Sequence, residues 1–598
     1  MGTSFLNRRD VDFLLRDWLK ADALIERDIF AEHEPATFAA ILDLSERLAA
    51  DAFATHYKKA DQNEPRLQGG DVVLIPEIGA ALRAFAEAGF FAAPFRAELG
   101  GLQLPSLVTT ASMAFFMAAN IATSAYPMLT LANARLIVAH GNAAQIEAFA
   151  KPQIEGRFFG TMCLSEPQAG SSLSDITTCA VPDGDDAYGA RYRLCGSKMW
   201  ISGGDHTLSE SIVHLVLAKV PRPDGKPQPG TKGISLFIVP KHLPGGARND
   251  VRVTGLNHKM GYRGAVNCLL AFGDEGGATG WRVGAEGDGL AIMFHMMNEA
   301  RIMVGLGAAA LACRGYRQSL EYARDRPQGR LAGGSRGPAA APVPIIVHAD
   351  VKAMLLAQKA YAEGALALVL FCARLVDEAT HADDDCRSEA ESLLGLLTPV
   401  AKAWPSQFGL AANDLAIQIH GGFGYSRDFD VEQIYRDNRL NPIHEGTNGI
   451  QAIDLLGRKI VRDPGAMNHL ERRVLVTIAK ARAVAELTDL PTALDEVWRA
   501  VVHVVRRVSD EPDRVRALAN ASRFLVAFGH VVVAWIWLDQ TVTACGLPSG
   551  DPSTAAFRAG KIRTCRYFFR CELPTVFHQL RLVETFDETA AAMPIAEF

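Results

Sequence analysis

Apolar residues recur along this chain with one period at the start, another in the middle, and the first again thereafter. Up to about residue 155 the spacing is three and four, as in IGAALRAFAEAGF (78–90), which predicts amphipathic helices. From about 156 to 285 come short runs rich in β-branched and aromatic residues: RFFGTMCL, YRLCGSKMWI, SIVHLVLAKV, GISLFIVP, VRVTGL and AVNCLLAF. Clusters such as PDGDD and PRPDGKPQPG separate them, the pattern of a compact antiparallel β-domain. From 286 to 462 the helical period returns, interrupted by a Gly/Pro/Ala-rich stretch at 331–344 that reads as an exposed loop. The last block, 463–598, is helical, with Val474, Leu475, Ile478 and Ala479 opening its first apolar face. A doubly wound nucleotide fold alternates strands and helices throughout, and this order excludes it. The predicted architecture is multidomain α+β. It has an N-terminal helical domain with a leading arm (1–155), a middle antiparallel β-domain (156–285), a helical bundle (286–462) and an additional C-terminal helical domain (463–598).

Two apolar stretches bear on a membrane reading. Residues 99–134 hold no charged side chain, a length that can span a bilayer. Gly100, Gly101, Pro105, Asn120, Pro127 and Asn133 interrupt it, so two buried helices broken near Tyr126 and Pro127 are expected instead. The fifteen-residue run 524–538 is too short to cross, and no membrane span is expected. Asp10, Asp12 and Asp17 argue against a secretory signal or an Arg-rich transit peptide, which gives a cytoplasmic expectation. With 61 Lys/Arg against 67 Asp/Glu in 598 residues, the net charge of −6 offers nucleic acid no basic excess. Ten cysteines form no C-x-x-C pair and no H-E-x-x-H occurs, so no metal is expected and reduced, mostly buried thiols are.

Three short motifs lack their context. Gly305-Leu306-Gly307 with Ala310 mimics a dinucleotide fingerprint, but helical sequence precedes it where a strand is needed. GKPQPGTK (225–232) ends in Thr-Lys where a P-loop ends in Lys-Ser/Thr. GGSRG (333–337) matches G-x-S-x-G inside a Pro/Gly loop with no strand-to-helix elbow.

Four other segments carry chemistry. In CLSEPQAGSSLSD (163–175), Pro167 and Gly170 suit a tight turn, and hydroxyls with nearby N–H groups can hold a polar heterocycle or phosphate. GSKMWISGGD (196–205) places the large ring of Trp200 beside the small hydroxyl of Ser202. EYARDRPQGR (321–330) puts Arg326 and Arg330 at a helix end. In QIHGGFGYSRDFDVEQIYRDNRLNPIHEGTNGIQ (418–451), Gly421 and Gly422 clear space for something to approach the backbone. There too Glu445 precedes Gly446 and Thr447, whose hydroxyl is expected to cap a helix beginning near Asn448.

CLSEPQAGS, KMWISGG, QIHGGFGY and IHEGTNGIQ, in this order and at these separations, resemble the acyl-CoA dehydrogenase family of flavoproteins over roughly residues 40–460. DVDFLLRDWL (10–19), NHKMGYRGAVNC (257–268) and the extra C-terminal block look like its large bacterial subgroup, which includes 3-methylmercaptopropionyl-CoA and broad-range fatty acyl-CoA dehydrogenases. The resemblance implies the acyl-CoA dehydrogenase fold: a helical domain, a β-domain and a four-helix bundle. It implies FAD as cofactor and an acyl-CoA substrate oxidised to a trans-2-enoyl-CoA, with electrons passed to an electron-transferring flavoprotein. By motif match Glu445 is the base that takes the α-proton. Some relatives carry the base before a CoA-contacting arginine; here Ala300 precedes Arg301, and the adjacent Glu299 is turned away by about 100°. Ser171, Asn298, Arg301 and Glu445 match substrate-side positions.

Cys163, Leu164, Ser165 and Ser171 match the flavin-contacting strand and turn, and Trp200 and Ser202 its stacking and hydrogen-bonding partners. Arg326 and Gln328 match residues that reach the FAD pyrophosphate or adenosine from a neighbouring subunit. Gln418, Gly421 and Gly422 match the complementary QxxGG contact, Thr447 lies beside the cofactor, and His348 is a further match. Two phrases depart from the family: GSSLSD stands for GSD, and Arg326-Pro327-Gln328-Gly329 is a shortened R-x-x-F-G without its Phe. An oxidase on the same scaffold would pass electrons to oxygen. A DNA-associated relative would want a basic C-terminal domain, whereas 471–598 holds sixteen Lys/Arg against fifteen Asp/Glu. The C-terminal block is expected to cover the bundle and to favour a homodimer.

Overall fold

Asn120 ends one helix and starts the next. In the computed structural model, which describes residues 5–222, 224–226, 228–330, 341–444, 446–461, 463–548 and 550–598, helix α1 is Pro76–Glu87, α2 Ser106–Ala119 and α3 Ile121–His140. The uncharged stretch thus makes two helices as expected, but the break is at Asn120 and not near Tyr126 and Pro127. Asn120 leaves helical geometry, its side-chain oxygen accepts from the Thr123 N–H, and its amide donates to the Phe53 carbonyl. A satisfied N-cap decides where the helix starts; a proline six residues later removes a single hydrogen bond and is tolerated inside α3.

The chain divides into two units, each described by itself. The first comprises 39–105 and 115–303, and the second 106–114, 304–598 and the N-terminal arm to Phe38.

The first unit holds a small hairpin, β1 (Arg66–Gln68) with β2 (Asp71–Val73), and the β-domain. All six apolar runs are strands: β3 (Phe158–Cys163), β5 (Gly189–Ser202), β6 (Ser211–Lys219), β7 (Ile234–Pro240), β8 (Val251–Leu256) and β9 (Asn267–Phe272). Two more strands appear, β4 (Cys179–Asp186) and β10 (Ala278–Val283). The PDGDD cluster, read as a separator, lies within β4, because a bulge between Pro182 and Asp185 absorbs the irregularity. The sheet is mixed where an antiparallel one was expected. β3 pairs with β6 in parallel, a pairing made possible because the long connection between them carries the β4–β5 hairpin. β10 pairs with both β5 and β7, and β4 reaches both β5 and β6, so five strands close a ring. Leu215, Leu217, Leu236, Ile238 and Trp281 share one buried core with Leu136, Ile137, Phe149 and Met293 of the flanking helical segments.

The second unit is helical. It takes the C-terminal part of α4 (Gly289–Asp325), then α5 (Ala349–His381), α6 (Asp384–His420), α7 (Val431–Asn438) and α8 (Asn448–Ile453). α9 (Pro464–Arg482), α10 (Leu490–Asp510), α11 (Ala521–Cys545), α12 (Pro552–Tyr567) and α13 (Thr575–Glu584) follow. Gly305 lies inside α4, where a Cβ would run into the Ala401 carbonyl oxygen; the glycine serves close helix packing. The run 524–538 is the middle of α11, which at 25 residues is long and apolar enough to cross a membrane, as is α5. Both bury most of that apolar stretch, 83% and 89%, against the rest of the protein, so both are core helices. On α9 the buried stripe is Leu470, Val474, Ile478 and Ala481, while Leu475 and Ala479 face outward. Spacings of three and four from Val474 select that stripe and leave its direct neighbour outside.

Lys561 of α12 is fully buried. It pairs with Asp10 of the N-terminal arm and with Glu363 of α5 at 3.1 Å, and donates to the Gln540 amide oxygen at 3.0 Å. Burial and the neighbouring Glu363 push the Asp10 carboxyl up. Of the ten cysteines, all free, only Cys163, Cys268, Cys313, Cys372 and Cys565 are buried; Cys195, Cys386 and Cys571 are exposed, against the expectation of mostly buried thiols.

Candidate functional site

Charged residues inside two of the motifs build a scaffold the sequence did not announce. Glu166 of CLSEPQAGS and Lys198 of KMWISGG form a buried ion pair, Nζ to Oε1 2.9 Å. Lys198 also donates to the Leu164 carbonyl. The Glu166 carboxylate accepts from the N–H groups and hydroxyls of both Thr177 and Thr178, and from Gln168. Burial alone would raise this carboxyl; the Lys198 charge and the threonine hydrogen bonds hold it down at about 2. No periodicity reveals such a pair, since its partners stand 32 positions apart, one in the turn after β3 and the other on β5.

The scaffold frees its neighbours. The Met199 N–H donates to the Ser165 carbonyl at 2.9 Å, tying the turn to β5. One residue on, the pairing of β5 with β9 slips between Lys198 and Ile201, and Trp200 takes φ +65°. A bulge of this kind re-aims a side chain, and a left-handed tryptophan costs roughly 1–2 kcal/mol. Its ring is 58% exposed, so it is not core filling. Ser202 is half-buried and accepts from the Asn267 amide at 3.2 Å. Ser165 is half-buried and Ser171 exposed. Cys163 and Leu164 are buried, and the Cys163 thiol faces inward toward His214 and Thr161, pushed up to about 12 by burial. Any contact from Cys163 to a ligand is therefore through its backbone. On α4, Arg301 is buried and donates to the exposed Asn298 at 3.3 Å, while the neighbouring Glu299 pairs with Arg135.

In the second unit, Arg326, Gln328, Gly421 and Gly422 come together around an open cleft of about 530 Å³. Tyr322, stacked on His420 at 4.3 Å, and Ile345, Ile419 and Phe423 line it as well. The Arg326 guanidinium stands 5.5 Å from the Phe423 ring. A Cβ on Gly421 or Gly422 would meet nothing within 4 Å, so both face open space. His348 lies behind this group: its Nε2 bonds the Gln328 carbonyl at 2.8 Å, which holds the chain leading to Gln328. Gln418 is exposed on the last turn of α6 and does not line the cleft.

Glu445 lies outside the described residues; its flanks are held firmly. The fully buried Lys402 donates to the Pro442 carbonyl and to the Asn448 side chain, and Gln451 donates to the Gly446 carbonyl at 2.7 Å. Thr447 occupies the N-cap position of α8 as expected, but its hydroxyl makes no capping bond. The Asn448 N–H goes to the Pro442 carbonyl instead.

Comparison with known proteins places this arrangement. The chain is 35% identical over 575 residues to 3-methylmercaptopropionyl-CoA dehydrogenase of Ruegeria pomeroyi, covering 94% of both chains. It belongs to the acyl-CoA dehydrogenase family. Models of the acyl-CoA dehydrogenase middle domain and C-terminal domain match residues 161–274 and 287–460, and one described as acetyl-CoA dehydrogenase C-terminal like matches 471–594. The broad-specificity linear acyl-CoA dehydrogenase of Mycobacterium tuberculosis is 32% identical, with 99% of each chain covered. In fold, the chain matches ACDH-11 of Caenorhabditis elegans, solved with C11-CoA, at a TM-score of 0.76 and 19% identity over 93% of this chain and 92% of that one. It matches the FAD-complexed acyl-CoA dehydrogenase of Bacillus anthracis at 0.73 and 19% identity, over 93% and 91%. As a member of this family the chain is an acyl-CoA dehydrogenase, a flavoprotein oxidoreductase of fatty acid metabolism with FAD as cofactor.

Proposed function

We propose that this enzyme converts an acyl-CoA thioester to the trans-2-enoyl-CoA, with Glu445 removing the α-proton. Electrons then pass to an electron-transferring flavoprotein, and the working species is a homo-oligomer, a dimer by preference. A C–H beside a thioester is a very weak acid, so its base must be fixed and shielded from water while the oxygen of the developing enolate is stabilised. The observation that carries the reading is the pinning of both flanks of position 445 by Lys402 and Gln451, in a chain of shown family.

The residues present fit FAD. Trp200 is held outward at a backbone cost that no core contact explains, Ser202 sits two residues beyond, and Gly421 and Gly422 leave their cleft unfilled. FAD, when bound, supplies the acceptor for the β-hydride. Trp200 offers a flat face and Ser165 and Ser202 polar edges to the flavin ring system. Arg326 and Gln328, with Gly421 and Gly422, offer a guanidinium fork, an amide and bare backbone to the diphosphate and adenosine of a neighbouring subunit's cofactor. Asn298 and Arg301 take polar groups of the acyl-CoA.

Anaerobic titration with acyl-CoAs of graded chain length, and with a methylthio analogue, tests the reading. Substrate bleaches the flavin of the wild type, whereas Glu445→Gln keeps FAD and ligand binding but does not bleach. Retained bleaching in that variant would reject the base, and rapid peroxide formation in air would replace the dehydrogenase with an oxidase.

A further inference from the structure

Cys179 of β4 and Cys195 of β5 are direct partners in the antiparallel register. Residues so opposed carry their side chains on one face with Cα atoms about 4.5 or 5.5 Å apart, and a disulfide spans about 4.4–6.8 Å. Among the described strand pairs no other two cysteines face each other, and both thiols are free here. Cys195 is exposed and Cys179 half-buried, so an oxidant in solution reaches the first and finds the second beside it.

We propose that Cys179 and Cys195 form an oxidisable dithiol, a modification site that closes to a disulfide with hydrogen peroxide as oxidant. The Cys195 thiolate attacks one peroxide oxygen: an S–O bond forms, the O–O bond breaks, and the hydroxide released takes the thiol's proton to become water. Cys179 then attacks the sulfur of that sulfenic acid. The S–S bond forms, the S–O bond breaks, and the Cys179 proton leaves with the hydroxyl as a second water. Two thiols lose two electrons and one peroxide gains them. Burial, with the neighbouring Cys195, pushes the Cys179 thiol up, which keeps it protonated until the exposed Cys195 has reacted.

The position gives this chemistry a consequence. Cys179 follows Thr178, whose N–H and hydroxyl both hold Glu166, and whose carbonyl accepts from the Lys219 N–H. Cys195 precedes Gly196, where a Cβ would lie 2.6 Å from the Thr178 hydroxyl, and stands three residues before Lys198. A bridge would therefore lock the two strands directly behind the Glu166–Lys198 pair.

Peroxide treatment of the full-length protein, followed by alkylation and trypsin, tests it, because Arg191 and Arg193 lie between the two cysteines. The expected product links LCGSK (194–198) to the peptide carrying Cys179, with two fewer alkylated thiols per chain, and dithiothreitol reverses it. Dimedone should label Cys195 in Cys179→Ser and not in the wild type. Linkage of Cys195 to Cys386 or Cys571, unchanged alkylation of Cys195, or equal dimedone labelling in both proteins would overturn the proposal.

Discussion

Lys198 stands 2.9 Å from Glu166 with both side chains out of water, so two of the phrases that mark the family are joined by a buried ion pair. The scaffold they form adjoins Ser165, Trp200 and Ser202, of which Trp200 is exposed and the two serines are half-buried. Within each motif, buried charge does the holding and the neighbouring residues remain available for contact.

Removing one partner strands the other. Glu166→Gln leaves a buried ammonium without its counter-ion and should cost about 3–5 kcal/mol, read as a lower urea midpoint at unchanged slope. The double variant Glu166→Gln/Lys198→Met should recover part of that loss. A double variant less stable than the single one would show that the pair is not the source of the effect.

The same pair sets an acid limit. The Glu166 carboxyl lies at about 2 in the folded protein, below its ordinary value of 4.5. Its contribution to stability is complete above about pH 4.5 and is lost as pH falls toward about 2. Thermal melts across that window should converge for the wild type and Glu166→Gln/Lys198→Met as the pH drops. A constant gap between the two would contradict the assignment.

Trp200 separates cofactor affinity from stability. Trp200→Gly removes an exposed ring and relieves the left-handed backbone, so the apoprotein Tm should not fall. FAD retention should nevertheless drop markedly, measured as flavin released on dilution. A Tm loss with unchanged flavin content would make the ring structural.

Arg326→Ala should weaken FAD retention by about 1.5–3 kcal/mol, roughly ten- to hundredfold, if its guanidinium meets phosphate. Arg326→Lys should restore only part, because a point charge lacks the fork. Unchanged occupancy in gel filtration would count against the cleft as a cofactor surface.

Much of the fold was legible because the pattern that exposed it is local. Six apolar runs became six strands, and the helical spacing of 78–90 became α1. What escaped was set at a distance. β4 carries Asp and Gly where a strand usually carries apolar residues, and only its bulge reconciles them. Asn120 won the helix start from Pro127 through a bond to Phe53, 67 positions away. In the site, the cleft did gather Arg326, Gln328, Gly421 and Gly422, whereas Gln418 stands apart and Thr447 caps nothing. Lys402 gave no signal, since a lysine in a helix ordinarily reads as a solvated face.

Asp10 and Lys561 are separated by 551 positions yet meet in the interior. A ribosome adding about 5–20 residues per second delivers the lysine roughly half a minute to two minutes after the aspartate. Throughout that interval the arm lacks its contacts on α12, and its apolar Val11, Phe13, Leu14 and Leu15, buried in the finished protein, are only partly covered. Nascent chains of this enzyme should therefore depend on chaperones until the last helices emerge.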